Sequence, residues 1–312
     1  MEQAYNHHVS VMLDEVIEYA NLKKNSKVLD MTLGRAGHSS EFLKRIPEGF
    51  LYGVDQDKEA LTFSEERLSK IGTNFKTIDS NFAEVPELLK EQNIQDFDFI
   101  FFDLGVSSPQ FDDPKRGFSY RFNAPLDMRM DQTQSLTAKD VVNNYDEEKL
   151  ANIIFEYGEE RFSRNIARNI CIERRKKKIE TTDELVKIIE ESIPKSKQKD
   201  GHPAKRTFQA IRIEVNNEIK PLEETISKSI EALKSGGRLC VITFHSLEDR
   251  AVKQAMNRAK GMCTCPKDIP YCVCGAKELG KVITKKPIVA SKEEQEENSR
   301  SKSAKLRIFE KE

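Results

Sequence analysis

The sequence predicts an α/β fold with a mostly parallel sheet, interrupted by an all-helical insertion. Three observations predict it. Over residues 1–110, short apolar runs alternate with helical patterns. From about Ala138 to residue 234 the pattern is helical only. Strand patterning resumes at Gly236–His245 and recurs in AKLRIFEK at the end of the sequence. Near-continuous apolar strands separated by helices mark a parallel sheet covered on both faces.

Element by element, Lys27–Leu33 is the first strand and Gly37–Arg45 the first helix behind it. Phe50–Val54 is a second buried strand ending at Asp55, followed by a helix over Lys58–Ile71. Phe75–Ile78 is a short third strand and Ala83–Glu91 its helix. Phe97–Phe102, almost wholly apolar, is the fourth strand and ends at Asp103. Gly105–Asp131, rich in Pro, Gly, Ser and Asp, reads as an ordered loop. Within the insertion, TTDELVKIIEESI opens with a Thr/Asp cap and carries apolar residues at helical spacing. SKEEQEENSRSKS is polar throughout and reads as a mobile surface loop. The expected boundaries are 1–112 and 215–312 for the two parts of the α/β domain and 113–214 for the insertion.

With 38% hydrophobic and 33% charged residues, the 312-residue chain can bury a core and stay soluble. No apolar run approaches the roughly 18–20 residues of a membrane span, and MEQAYNHHVS has no apolar signal region. A cytoplasmic protein without membrane contact is expected. Net charge is −1, but charge is local: between Arg161 and Lys178 stand eight basic residues and one acid, Glu173. They are Arg161, Arg164, Arg168, Arg174, Arg175, Lys176, Lys177 and Lys178; a second group is Lys195, Lys197, Lys199, Lys205 and Arg206. Such a run is either a solvated helix face or a phosphate-binding surface.

The stretch VLDMTLGRAGHSSEFL places a glycine turn, Gly34 to Gly37, between a strand and a helix. It lacks the Gly-Lys-Ser/Thr of a phosphate-binding loop and the third glycine of G-x-G-x-x-G. In open parallel sheets ligands sit at the strands' carboxyl ends. Asp55 there suits a ribose, and Asp103 faces the same crevice. A nicotinamide cofactor and S-adenosylmethionine both fit such a site; the latter has no pyrophosphate and tolerates the looser turn.

Further motifs narrow the choice. DLGVSSPQ (Asp103–Gln110), RGFS (Arg116–Ser119) and PLDMRM (Pro125–Met130) closely resemble the RsmH (MraW) family of bacterial ribosomal RNA methyltransferases. HHVSVMLDE, LGRAGHS, YGEERFSRNIAR, GHPAKRTFQAIRIEVNNE and TFHSLEDR are similar to the family as well, so the resemblance spans nearly the whole chain. It implies a class I S-adenosylmethionine-dependent methyltransferase, Rossmann-like with a mostly parallel seven-stranded sheet and an inserted helical substrate-recognition domain. The implied reaction is N4-methylation of one cytidine of 16S rRNA at the decoding centre, with the rRNA in the small ribosomal subunit. The implied cofactor contacts are Gly34, Ala36, Gly37 and His38 in the loop and Asp55 on the ribose. Phe82 would lie beside the adenine, and Asp103 and Gln110 near the methionine end. Monomer and homodimer stay open.

Cytosine N4 is a poor nucleophile, so alignment with the methyl donor is the main demand. Asp103, Ser107, Ser108 or the carbonyls of this turn would accept from N4. They stand where many amino-methyltransferases carry Asn/Asp-Pro-Pro-aromatic; the alternative reading is that the serines only stabilise the turn. His245, ending the returning strand, is a second-tier candidate, and Ser246 could cap the next helix. Cytosine C5 chemistry needs a cysteine nucleophile, and none follows the fourth strand. An inactive RNA-binding or assembly factor and a nicotinamide dehydrogenase are the rival classes. Arg161, Arg164, Arg168, Arg174, Arg175, Lys205 and Arg206 are the candidate RNA contacts, with Phe118, Tyr120 and Phe208 either stacking on bases or in the core. Four of six cysteines, Cys263, Cys265, Cys272 and Cys274, fall in CTCPKDIPYCVCG. They could hold Zn2+ or be free, redox-sensitive thiols; catalysis should not require a metal.

Overall fold

The computed structural model describes residues 10–312 apart from 199, 200, 264 and 267, with only the main chain described at Ser108. Lys199 and most of HHVSVMLDE's first residues therefore lie outside the described residues. The chain divides into two compact units: the residues up to Gly105 together with Ile219–Glu312, and Val106–Glu218. The boundaries expected from sequence, 112/113 and 214/215, lie seven residues after the first of these and four before the second.

The first unit is a seven-stranded sheet. Its strands are β1 (Lys27–Asp30), β2 (Phe50–Asp55), β3 (Phe75–Asp79), β4 (Phe97–Asp103), β5 (Leu233–Thr243), β6 (Gly280–Val282) and β7 (Lys305–Lys311). Their order is β3-β2-β1-β4-β5-β7-β6, parallel except that β7 runs against both β5 and β6. This is the mostly parallel seven-stranded sheet that the sequence resemblance implies. The three-residue β6, absent from the sequence reading, pairs only with β7 and is too short to leave a period.

Alternation across the pleat explains why the strands read as apolar runs. Phe99 and Phe101 of β4, with Cys240 and Ile242 of β5, enter one core beneath α1 (Leu13–Ala20) and α2 (Gly37–Arg45). Phe97, Ile100 and Phe102, with Leu239 and Val241, enter the other. That second core includes residues of α4 (Val85–Glu91), α11 (Leu222–Ala232) and α12 (Ser246–Ala259). With both faces covered, neither set of side chains can be polar. Between β2 and β3, α3 (Lys58–Ser69) starts at Asp57, whose carboxylate accepts from Glu59 N.

The polar stretch expected to be a mobile loop is instead partly helical. Lys292–Glu297 forms α13, capped by Ser291 Oγ on Glu294 N at 3.1 Å. Glu294 Oε1 accepts from Met12 N at 2.8 Å. The Ser-x-x-Glu spacing was the missed helix-start signal.

The second unit is helical: α5 (Ser108–Asp112), α6 (Ala138–Asn144), α7 (Glu147–Gly158), α8 (Ser163–Lys176), α9 (Thr182–Ser192) and α10 (Lys205–Asn216). The ordered loop expected over 105–131 is pinned into its core, with Phe118, Leu126, Met128 and Met130 buried. Asn216 accepts from Met130 N at 2.8 Å and donates to Met128 O at 2.8 Å and Arg212 O at 2.9 Å. Buried Arg116 donates to the carbonyls of Arg129 and Met130, each at 3.0 Å. Much of RGFS and PLDMRM is thus explained by scaffolding.

Candidate active site

Four parallel strands end on an aspartate: Asp30, Asp55, Asp79 and Asp103. The sheet order reverses between β1 and β4, and ligands of open α/β sheets bind over the strand ends at that switch. Asp30 and Asp103 flank it, and Asp55 lies one strand out.

Leaving β1, the chain turns through Gly34 (φ +52°) and Ala36 (φ +54°), both left-handed, the second being the N-cap of α2. Asp55 holds this turn: Gly34 N donates to its Oδ2 at 2.8 Å and Asp57 N to its Oδ1 at 2.9 Å. A carboxylate offers about four acceptor positions, and the Gln56 amide also bonds this one, so acceptor capacity remains for a ribose hydroxyl. A Cβ at Gly37 would lie 2.1 Å from Ser10 Oγ, so a larger residue there requires the Ser10 hydroxyl to turn away. His38 turns its buried ring inward, with Nε2 3.0 Å from Val11 O and the ring centroid 4.6 Å from that of Phe101. Burial holds its pKa down at about 4, so the ring is neutral. Phe82 is half-buried, edge-on to Phe102 at 6.4 Å, which leaves part of its ring for a base.

Asp103 is the most perturbed group. Its main-chain N donates to Thr32 Oγ1 at 2.6 Å, joining the ends of β1 and β4. Its Oδ2 lies 3.8 Å from His38 Nδ1, and its buried Oδ1 has no hydrogen-bond partner. Burial first, then the charges of Asp30 and Glu248, push its carboxyl up to about 8. Asp30, bonded by Ser39 Oγ at 2.6 Å and Thr32 N at 3.1 Å, is raised by burial to about 6. Burial also raises Asp55 to about 6, against the lowering effect of its amide donors. No lysine or arginine contributes to any of these three shifts. Carboxyls held so are suited to a cationic ligand.

His245 is the N-cap of α12, its Nδ1 3.5 Å from Glu248 N. Its Nε2 lies 3.0 Å from Glu248 Oε1, out of line for a hydrogen bond. Glu248 Oε2 accepts from Phe244 N at 2.7 Å and His245 N at 3.2 Å. The cap expected at Ser246 is therefore one residue earlier, and His245 and Glu248 brace each other. In the second unit, Ser107 is the N-cap of α5, and its N donates to buried Gln110 Oε1 at 3.0 Å.

The sequence pattern of the MraW methylase family matches residues 5–312. The chain belongs to the MraW methylase family. Two of its relatives are called ribosomal RNA small subunit methyltransferase H 2 and ribosomal RNA small subunit methyltransferase H. The first, of Agathobacter rectalis, is 51% identical over 307 residues, covering 97% of this chain and 98% of its own. The second, of Clostridium botulinum, is 52% identical over 302 residues, covering 96% and 97%.

In this MraW methylase the glycine turn, Asp55, Phe82 and Asp103 all belong to the first unit. The orphaned Asp103 Oδ1, with Asp30 and Asp55, could hold the cationic end of S-adenosylmethionine, and the turn needs no phosphate site. Three members of the crevice were missed from sequence: Asp30, Thr32 and Glu248. Asp30 carried the same strand-end signal as Asp55. Glu248 carried only the helix-start signal of SLED, and its place beside Asp103 depends on how α12 leaves β5.

The basic residues sort by helix phase. Arg164, Arg168 and Arg175 are exposed along one face of α8, and Arg161 is exposed just before it. Arg174 is half-buried and donates to Val142 O at 2.8 Å, so it braces the unit. Lys176 and Lys177 pair with Glu173 and Glu184, each at 2.7 Å. Lys205 and Arg206 are exposed at the start of α10, with Arg206 donating to Glu159 O at 3.2 Å. Phe118 and Phe208 are core residues, whereas Tyr120 is half-buried and stacks on His202 at 4.3 Å. Among the described residues no helix is long and apolar enough to cross a membrane. The sulfurs of Cys263, Cys265, Cys272 and Cys274 lie within 4.8 Å of one another.

Proposed function

We propose that this chain methylates the exocyclic N4 of one cytidine of 16S rRNA at the decoding centre, in the cytoplasm, with the RNA in the small subunit. The observation that carries this reading is Asp103: a buried carboxyl at the sheet's switch point, one oxygen unpartnered, at the head of DLGVSSPQ. The family relationship supports the rRNA substrate class. S-adenosylmethionine supplies a methyl group already activated on a sulfonium.

The chain's own residues have three tasks. Gly34, Ala36 and Gly37 offer main chain at close approach, Asp55 accepts from the ribose, and Phe82 covers the adenine. His38 fixes the helix start and faces Asp103, and Gln110 remains a proposed contact near the methionine end. Asp103 accepts from N4 or the cofactor's amine most strongly when ionised, and the arrival of a cation beside it favours that state. Ser107, Ser108 and the carbonyls of the turn are the other acceptors proposed for the N4 hydrogens. Ser107's capping position favours the carbonyls over its hydroxyl. His245 acts by bracing Glu248. Arg161, Arg164, Arg168, Arg175, Lys205 and Arg206 are the proposed phosphate contacts, with Arg174 behind them.

Nucleoside mass spectrometry after incubating the protein with S-adenosylmethionine and unmodified small subunits tests the reading. N4-methylcytidine should appear. Its absence on subunits and naked 16S rRNA, with the cofactor still bound, would refute the substrate while leaving the methyltransferase assignment intact.

A further inference from the structure

We propose that Cys263, Cys265, Cys272 and Cys274 form a closed tetrathiolate Zn2+ site that holds together the loop between α12 and β6. The base of the loop is fixed without metal. Gly261 N donates to Lys277 O at 3.1 Å, Lys277 N to Arg258 O at 3.0 Å, and Leu279 N to Ala259 O at 2.7 Å. Beyond that base the chain has little to fold around. Met262, Ile269, Tyr271 and Val273 are all exposed, Tyr271 at 80% and Val273 at 73%. A loop with no apolar interior cannot offset the entropy of ordering its own backbone.

Yet the four sulfurs converge to within 4.8 Å of one another. Four ligands at about 2.3 Å from Zn2+ in a tetrahedron stand about 3.8 Å apart. Cys272 and Cys274 sulfurs are 3.4 Å apart and those of Cys274 and Cys263 3.9 Å, near that spacing and far beyond the roughly 2.05 Å of a disulfide. Val273 N donates to Cys265 Sγ at 3.2 Å, the kind of outer-shell bond that stabilises a thiolate ligand. The other two cysteines, Cys171 and Cys240, are buried elsewhere. An all-sulfur tetrahedral set selects zinc or iron, and four protein ligands leave no open position for catalysis. The site is therefore structural: binding displaces the thiol protons to solvent and converts an unsupported loop into a fixed one that displays Tyr271 and Val273.

The test uses the full chain, purified under reducing conditions with zinc present and then dialysed. Elemental analysis should find about one zinc per chain, released when an organomercurial titrates the thiols. Titrating the metal-free protein with Co2+ should produce the intense visible bands of tetrahedral thiolate coordination. Cys263→Ser and Cys272→Ser should each lose those bands while retaining S-adenosylmethionine binding, which shows that the sheet still folds. Zinc well below stoichiometry in the unaltered protein, or a visible Co2+ spectrum typical of six-coordination, would overturn the site. Retained iron would overturn the choice of metal, and disulfides among these cysteines in freshly isolated protein would favour redox thiols instead.

Discussion

Replacing Asp103 by Asn removes the group that the fold most resists ionising. The carboxyl is raised from 3.8 to about 8 in the folded chain. A raised carboxyl contributes its full stability below the unfolded value and loses it as pH climbs through the folded one. At pH 7 the unfolded carboxyl has ionised across about 3 pH units that the folded one forgoes, worth about 4 kcal/mol at 1.36 kcal/mol per unit. The side chain keeps 28% of its exposure, so solvent tempers this to about 2–4 kcal/mol. Asn mimics the neutral acid and keeps the Thr32 bond, which uses the main-chain N. The Asn variant should match the parent near about pH 4, then exceed its stability by up to about 1.4 kcal/mol per pH unit, levelling off above about pH 8. Urea unfolding across that range reads the difference directly. A difference that is flat, or that falls with rising pH, would refute the assignment of a neutral Asp103. The same reasoning requires cofactor binding near neutral pH to release a proton from Asp103. Calorimetry in two buffers of unlike ionisation heat should detect that release in the parent and not in the variant.

Asp55→Ala removes the acceptor proposed for the ribose; at about 1.5–3 kcal/mol for one bond to a charged group, S-adenosylmethionine affinity should fall about ten- to a hundredfold by calorimetry. An unchanged affinity would remove Asp55 from the site. Arg164, Arg168 and Arg175 changed together to Glu should weaken subunit binding and lower its salt dependence, while Arg174→Ala should lower the melting temperature and spare binding. Equal effects of the two sets would contradict the helix-phase division. Asn216→Ala strips two hydrogen bonds from the 128–130 loop and one within α10, at a cost of about 2–4 kcal/mol in urea unfolding.

Most of the sheet was legible because parallel strands buried on both faces have no alternative to apolar runs. The stretch Phe97–Asp103 carries its assignment in its composition. What escaped was set by contacts distant in sequence. β6 exists because β7 offers it an edge, and Glu248 enters the crevice through the angle at which α12 leaves β5. Arg174 and Arg175 are neighbours in sequence with identical charge, and only the phase of α8, fixed by its buried Ile166 and Ile170, separates brace from surface. Asp30 was readable and overlooked; it ends its strand as Asp55 does. The motifs identified the family more sharply than they identified roles, since Arg116 serves the scaffold.

The pairing of β4 with β5 reaches across the whole of Val106–Glu218. A flexible excursion of that length would make meeting of the two strands slow, because non-local pairing must await loop closure. The helical unit has its own core. If it condenses first, it shortens the chain that separates the strands. Order of assembly then follows order of synthesis: half a sheet waits, a helical unit closes, and β5 and β7 arrive to complete the layer. On that course, damage to the helical core at Ile154 or Leu185 would first appear as delay in finishing a sheet to which neither residue belongs.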